Sequence, residues 1–325
     1  MQRTLILEPE NDQPELFGTP GVNKAIGAAS PKASALLLIV DGHAYAYRAF
    51  YAIRSLSSPS GEGTNAIYGF INMLRKMRER LQPTHIVVTW DGGLAAERMA
   101  ILPGYKAQRL PSPPDLDRQI EEIGTYLKAA GIACLSKAGV EADDWIATLA
   151  RESSYKGMQV IIASPDKDFM QLVDANVGIV NPGDKSESIW ADEHVRNKTG
   201  VSPAQVLDWL SLIGDSVDNI DGVPGIGPKT AAELLGQFGS IDGIYEHIGE
   251  IKSPKLRSTL IEWEPMVRRN QQLIRLNDTL VCELQLTDCG CAEGDLTVLK
   301  GLYAKWGFKA LLREVENLES KRKAA

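Results

Sequence analysis

Long apolar runs are missing from this chain of 325 residues: the longest, at 35–40, is far too short to span a bilayer. Residues 1–30 carry acidic side chains and lack the apolar core of a signal peptide, so neither a membrane role nor secretion is expected. Cysteine is scarce as well. Four of them, Cys134, Cys282, Cys289 and Cys291, make no disulfide framework for a chain this long, and reduced thiols in a cytoplasm are the expectation. Cys282, Cys289 and Cys291 are close in sequence, but zinc wants a fourth ligand and none of the four histidines is near. Positive charge is not in excess either. With 35 basic against 42 acidic side chains the formal net charge is −7, which taken alone argues against a nucleic-acid partner. Distribution matters more than the sum, because basic residues cluster at 75–80, between Arg98 and Arg109, at Arg268 and Arg269, and at 321–323.

What is present suffices for a sizeable core: 44% of residues are hydrophobic and 24% charged, fitting one large domain or a domain with a smaller module. Residues 1–34 mix Pro, Gly, Asn, Asp and Ser without apolar periodicity and read as a disordered tail. From Ala35 onward, short β-rich runs alternate with helical patterns: LLLIVD ending at Asp41, HIVVTWD at 85–91 and QVIIASPD at 159–166. Apolar strands separated by helices predict an α/β fold, a central, mostly parallel sheet covered by helices on both faces. Helices are expected at about 44–53, 65–81, 116–130, 142–155 and 203–213. NIDGVPGIGPKTAAELLGQFGS, at 219–240, has a tight Gly/Pro hairpin leading into an amphipathic helix, and 296–323 reads as two more helices. The expected organisation is a tail at 1–34, an α/β core at 35–202, a helical region at 203–290, and C-terminal helices packed on the core at 291–325, ending in a basic stretch.

All three strands are expected to end in an aspartate, Asp41, Asp91 and Asp166, and open parallel sheets gather ligands beyond the carboxyl ends of their strands. Asp168 follows in SPDKDF. In GVEADDWIA, Glu141 and Asp144 share a helical face by their i, i+3 spacing with Asp143 beside them, and Asp215 and Asp218 repeat that spacing near the end of another helix. Any one of these is ordinarily a helix cap or turn residue. Nine meeting in one crevice would repel one another by several kcal/mol, about the scale a bound divalent cation relieves. With no His or Cys among them, Mg²⁺ or Mn²⁺ is favoured over zinc. Two such ions about 3.5–4 Å apart suit in-line displacement at a phosphodiester.

The strings VDGHAYAYRAF, TWDGGLAAER, PGYKAQR, GVEADDWIA, SPDKDFMQLV, GDSVDNIDGVPGIGPKTA and LLGQFGS occur in this order. Together, over about 36–315, they closely resemble the 5′ nuclease (flap endonuclease) family, and specifically the 5′–3′ exonuclease domain of bacterial DNA polymerase I. The resemblance implies a PIN-like nuclease fold with a helical arch at about 92–115 and a helix-hairpin-helix at about 219–240. It implies that Asp41, Asp91, Glu141, Asp143, Asp144, Asp166 and Asp168 are metal-site carboxylates, with Asp215 and Asp218 completing the surroundings of a second ion. Two or three Mg²⁺ are expected, replaceable by Mn²⁺. Arg98, Lys106 and Arg109 keep the family's spacing from Asp91, and a cation there would stabilise charge on the transferring phosphate; a basic loop with only nonspecific phosphate contacts is the plainer reading. Tyr47 is expected to stack on a base, or else to be a core aromatic. Gly222, Gly225 and Gly227 allow positive φ and close backbone approach, so hairpin amides can hold a duplex phosphate, with Lys229 adding a contact, or the Gly/Pro turn joins two helices for packing alone; the resemblance further implies K⁺ on hairpin carbonyls.

QPELF, in the leader, resembles the peptide with which bacterial replication proteins grip the sliding clamp: Gln13, with Leu16 and Phe17 as apolar anchors. The reading reached is a cytoplasmic, nucleoid-associated, freestanding and monomeric Mg²⁺-dependent 5′ nuclease acting on flapped, nicked or RNA-primed DNA. A catalytically weak DNA-structure-binding scaffold is the alternative. A small-molecule phosphatase on a similar sheet is disfavoured by the hairpin and the arch.

Overall fold

The computed structural model describes residues 35–183 and 188–324. Strand β1 (Leu36–Asp41) is followed by helices α1 (Gly42–Ala52) and α2 (Asn65–Leu81), then β2 (His85–Thr89), α3 (Ala96–Ile101), α4 (Pro114–Ala129) and β3 (Ala133–Leu135). Helix α5 (Ala142–Tyr155) leads to β4 (Gln159–Ala163), β5 (Val177–Val180), β6 (Ile189–Trp190) and α6 (Asp192–Thr199). These strands form one six-stranded sheet in the order β3-β2-β1-β4-β5-β6, parallel except for β6. The two successive crossovers from β1 run to one side and the return to β4 runs to the other, so the order reverses between β1 and β4. That reversal opens a crevice at the carboxyl ends of the two strands.

Both faces of β1 are buried, as a near-continuous apolar strand demands. Leu37 and Ile39 point into one core with α5, while Leu38 and Val40 point into the other with α1, α2 and α4. The second half of the chain supplies the cover for each. Helices α7 (Val206–Ile213), α8 (Pro228–Phe238), α9 (Ile241–Glu246) and α10 (Pro254–Ile274) extend the first core, with the two-stranded hairpin β7 (Gly214–Asp215) and β8 (Ile220–Asp221) between α7 and α8. Helices α11 (Leu296–Trp306) and α12 (Lys309–Ala324) bring Leu299, Tyr303, Trp306, Phe308, Leu311 and Val315 onto the second.

Several details differ from the sequence reading. β2 and β4 stop before the expected aspartates, at Thr89 and Ala163, so Asp91 and Asp166 stand on the loops beyond the strands. Asp215 and Asp218 do not share a helical face: α7 ends at Ile213, and both belong to the β7–β8 hairpin. The segment at 92–115 holds the short helix α3, then turns, then the first residues of α4. Residues 203–205 form a separate 3-10 turn before α7. Among the described residues, no helix is long and apolar enough to cross a membrane.

Candidate active site

Asp41 is the last residue of β1 and the N-cap of α1. Its Oδ1 accepts from the Ala44 amide at 3.0 Å and its Oδ2 from the Ser164 hydroxyl, just beyond β4, at 2.8 Å. Ser164 therefore bridges the two strands that flank the crevice. It also accepts from the Asp166 amide at 3.2 Å, and Asp166 in turn accepts from the Asp168 amide at 2.9 Å. This chain of short local bonds curls SPDKD back over the sheet edge. Asp91 is set by two contacts across the sheet: its amide donates to His43 Nδ1 at 3.1 Å, and the next amide, of Gly92, donates to Val140 O at 2.9 Å. A Cβ on Gly92 would lie 1.8 Å from Lys137 O, so only glycine lets this loop approach the segment entering α5.

Burial and mutual repulsion dominate the electrostatics. Burial pushes the Asp41 carboxyl up to about 6, helped by Asp166 and Asp91 and opposed by its two hydrogen bonds. Burial likewise raises Asp143, Asp166 and Asp168, which feel one another and Asp41, Glu141, Asp215 or Asp218 as like charges. The Oδ1 atoms of Asp91 and Asp168 are buried and have no hydrogen-bond partner. An all-oxygen donor set with buried, unpartnered carboxylate oxygens fits a hard divalent cation. Among the described residues, no three acidic or imidazole groups stand at the mutual spacing of a closed ligand shell. The crevice is an acidic hollow, not a formed cage.

The positive side chains come from the segment after α3 and lie against these carboxylates. Lys106, 5% exposed, donates to Glu141 Oε1 at 2.7 Å and stands 3.8 Å from Asp218 Oδ2. Burial lowers its pKa, but Asp143, Glu141 and Asp218 outweigh burial and hold the ammonium above its ordinary value. Arg109 donates to Asp218 Oδ1 at 2.7 Å and keeps 43% of its side chain exposed. Tyr105 and Lys167 were not singled out in the sequence. The Tyr105 hydroxyl stands 3.3 Å from both Glu141 and Asp218, and Lys167 pairs with Asp215 at 3.2 Å.

Arg98 and Asp144 pair with each other. All five guanidinium donors of Arg98 are engaged: with Glu141, with both Asp144 oxygens at 2.8 and 2.7 Å, and with the carbonyls of Leu273 and Arg275 at 3.0 and 3.1 Å. No donor is left for a phosphate. Asp144 accepts in addition from the Asn277 amide at 2.9 Å, so it is the buried counter-ion of Arg98 and fastens α3 and α5 to the end of α10. The i, i+3 pair Glu141 and Asp144 does share a face, and that face meets an arginine.

Away from the crevice, Tyr47 is half-buried on α1, its ring 6.4 Å from that of exposed Tyr51. In the hairpin module the three glycines have different reasons. Gly225 has φ +79°; a Cβ on Gly222 would lie 2.1 Å from Ile213 O. Gly227, with φ −96°, needs neither freedom and simply precedes α8, where Lys229 is exposed. Gln13, Leu16 and Phe17 lie outside the described residues.

This geometry has known counterparts. A family model described as the 5′-3′ exonuclease N-terminal resolvase-like domain matches residues 36–200, and one described as the 5′-3′ exonuclease C-terminal SAM fold matches 201–297. A 5′-3′ exonuclease from Aquifex aeolicus is 39% identical over 282 residues, covering 87% of this chain and 96% of that protein. DNA polymerase I of Bacillus caldotenax is 36% identical over 286 residues; this chain spans 33% of its length. The crystal structure of bacteriophage T5 D15 flap endonuclease, as a pseudo-enzyme-product complex with DNA and metal ions, superposes with a TM-score of 0.60 at 21% identity, covering 87% of this chain and 98% of that one.

Proposed function

Because the chain belongs to the 5′–3′ exonuclease family and is a 5′ nuclease, we propose that it cuts phosphodiester bonds at 5′ flaps and nicks in DNA with two or three Mg²⁺, replaceable by Mn²⁺. One observation carries the reading: the acidic crevice at the switch between β1 and β4, with unpartnered oxygens on Asp91 and Asp168, lies beneath Lys106 and Arg109. Asp41, Asp91, Glu141, Asp143, Asp166, Asp168, Asp215 and Asp218 would hold the ions. When bound, they supply Lewis acidity to the phosphoryl oxygens and acidify the attacking water. Lys106 and Arg109 exchange their carboxylate partners for the phosphate, steadying its negative charge where water is scarce. The T5 flap endonuclease crystallised with DNA and metal ions supports this assignment by its shared fold.

The hairpin loop at 222–227 and the exposed Lys229 form the second contact, with the downstream duplex. Backbone amides there meet phosphates without reading bases, and K⁺ on hairpin carbonyls would reinforce the grip. Tyr47 stacks on a base beside the cut. The protein acts as a monomer in the cytoplasm, and the Gln13–Leu16–Phe17 peptide tethers it to a sliding clamp; clamp affinity unchanged by Leu16→Ala/Phe17→Ala would remove the tether. A gel of 5′-labelled flap, nicked and blunt duplexes, with and without Mg²⁺, tests the main reading. Short 5′ products should form from flap and nick only when Mg²⁺ is present. DNA bound but never cut would favour a structural scaffold.

A further inference from the structure

Two residues with side chains adopt left-handed backbone conformations where the turn at 104–109 meets the β7–β8 hairpin: Lys106 at φ +55° and Asn219 at φ +59°. A lysine in that region is uncommon and strained, whereas asparagine is among the few residues that tolerate it. The strain at Lys106 persists because the hairpin holds the turn. The Lys106 amide donates to Asp218 O at 3.0 Å. Asn219 Nδ2 donates to Gly104 O at 2.8 Å, and Asn219 Oδ1 accepts from Gln108 Nε2 at 3.1 Å. A Cβ on Gly104 would lie only 3.0 Å from Asn219 Nδ2, so the glycine makes room for the clasp. One asparagine thus grips the turn on both sides of Lys106.

What the clasp aims is the pair of cations above the crevice. Lys106 enters with its side chain almost fully enclosed, its ammonium against Glu141 and Asp218, and Arg109 reaches Asp218 from the same turn. Within the turn, the Tyr105, Ala107 and Arg109 amides donate to the carbonyls of Leu102, Gly104 and Lys106 at 2.9, 3.1 and 3.1 Å, and the clasp adds the bonds that tie residues 104–108 to the hairpin. We infer that Asn219 is a positioning residue for the cleavage reaction: its side-chain amide locks the turn so that Lys106 and Arg109 meet the scissile phosphate in place. The inference rests on the role given above to those two cations. A displacement of about 1 Å in a positioned catalytic group lowers rates by roughly 100-fold, without a matching loss of ground-state binding.

Asn219→Gly separates the clasp from the backbone, because glycine keeps the left-handed φ and loses only the side-chain bonds. Asn219→Asp also tolerates that φ and retains an acceptor for Gln108, but sets a carboxylate oxygen against the Gly104 carbonyl. The expected result is a single-turnover rate on a 5′-labelled flap duplex with Mg²⁺ lowered by about 10- to 100-fold in both variants, with affinity for the flap duplex in EDTA little changed. In a Lys106→Ala background, Asn219→Gly should cause little further loss, because the two act through one group; thermal melting of each variant confirms that it folds. Full activity of either Asn219 variant, or a loss that multiplies in full with that of Lys106→Ala, overturns the inference while leaving the nuclease reading intact. No cleavage by the unsubstituted protein overturns that reading and the inference with it.

Discussion

Arg98 lies between Glu141 and Asp144 with its guanidinium enclosed, while Asp91 and Asp168 each keep a buried carboxylate oxygen without a hydrogen-bond partner. Asp41, Asp91 and Asp166 follow apolar runs, and parallel strands bring their carboxyl ends to one edge. Arg98 was not legible in this way. Its spacing from Asp91 suggested a phosphate contact, but its partners include carbonyls of Leu273 and Arg275, 175 and 177 residues further along the chain. Only the folded chain shows that Glu141 and Asp144 spend their shared face on a buried guanidinium. Arg98→Ala should therefore destabilise the protein by about 3–5 kcal/mol, the cost of leaving buried charge unpaired. Arg98→Lys should recover little, since one ammonium cannot span this fork of acceptors. Urea denaturation reads both; near-wild-type midpoints would mean that Arg98 does not fasten α3 and α5 to the end of α10.

At the scale of elements, periodicity located β1, α2 and α5 closely, because each has a long apolar face and, for the strand, two buried faces. It missed β3, β5 and β6, whose two to four residues are too short to carry a period. It also could not show how α2 begins. Thr64 makes no side-chain cap there; instead Gln119, fully buried on α4, accepts from the amides of Ala66 and Ile67 at 2.8 and 3.3 Å and donates to Asn65. That cap is supplied from fifty residues away by a neighbouring helix, which local sequence patterns do not register. Gln119→Leu, similar in size, should cost about 1–3 kcal/mol by stranding two buried amides. Guanidinium denaturation measures it, and an unchanged free energy would show that α2 starts without this contact.

On the scale of the whole molecule, net charge misled and distribution did not. An acidic protein can bind nucleic acid when its negative groups are sequestered in one hollow that cations fill, leaving basic side chains to face the backbone. The two families of helices serve that arrangement: one set packs beneath the sheet, while α7, the hairpin and α10 bring Asp215, Asp218 and Asn219 to the same edge as Asp41. Crystals soaked in manganese and measured for anomalous scattering test this most directly. Peaks in contact with Asp41, Asp91, Glu141 or Asp143 on one side and with Asp166, Asp168 or Asp215 on the other are the predicted result. A crevice without any peak, in a protein that still cuts flap DNA, would contradict it.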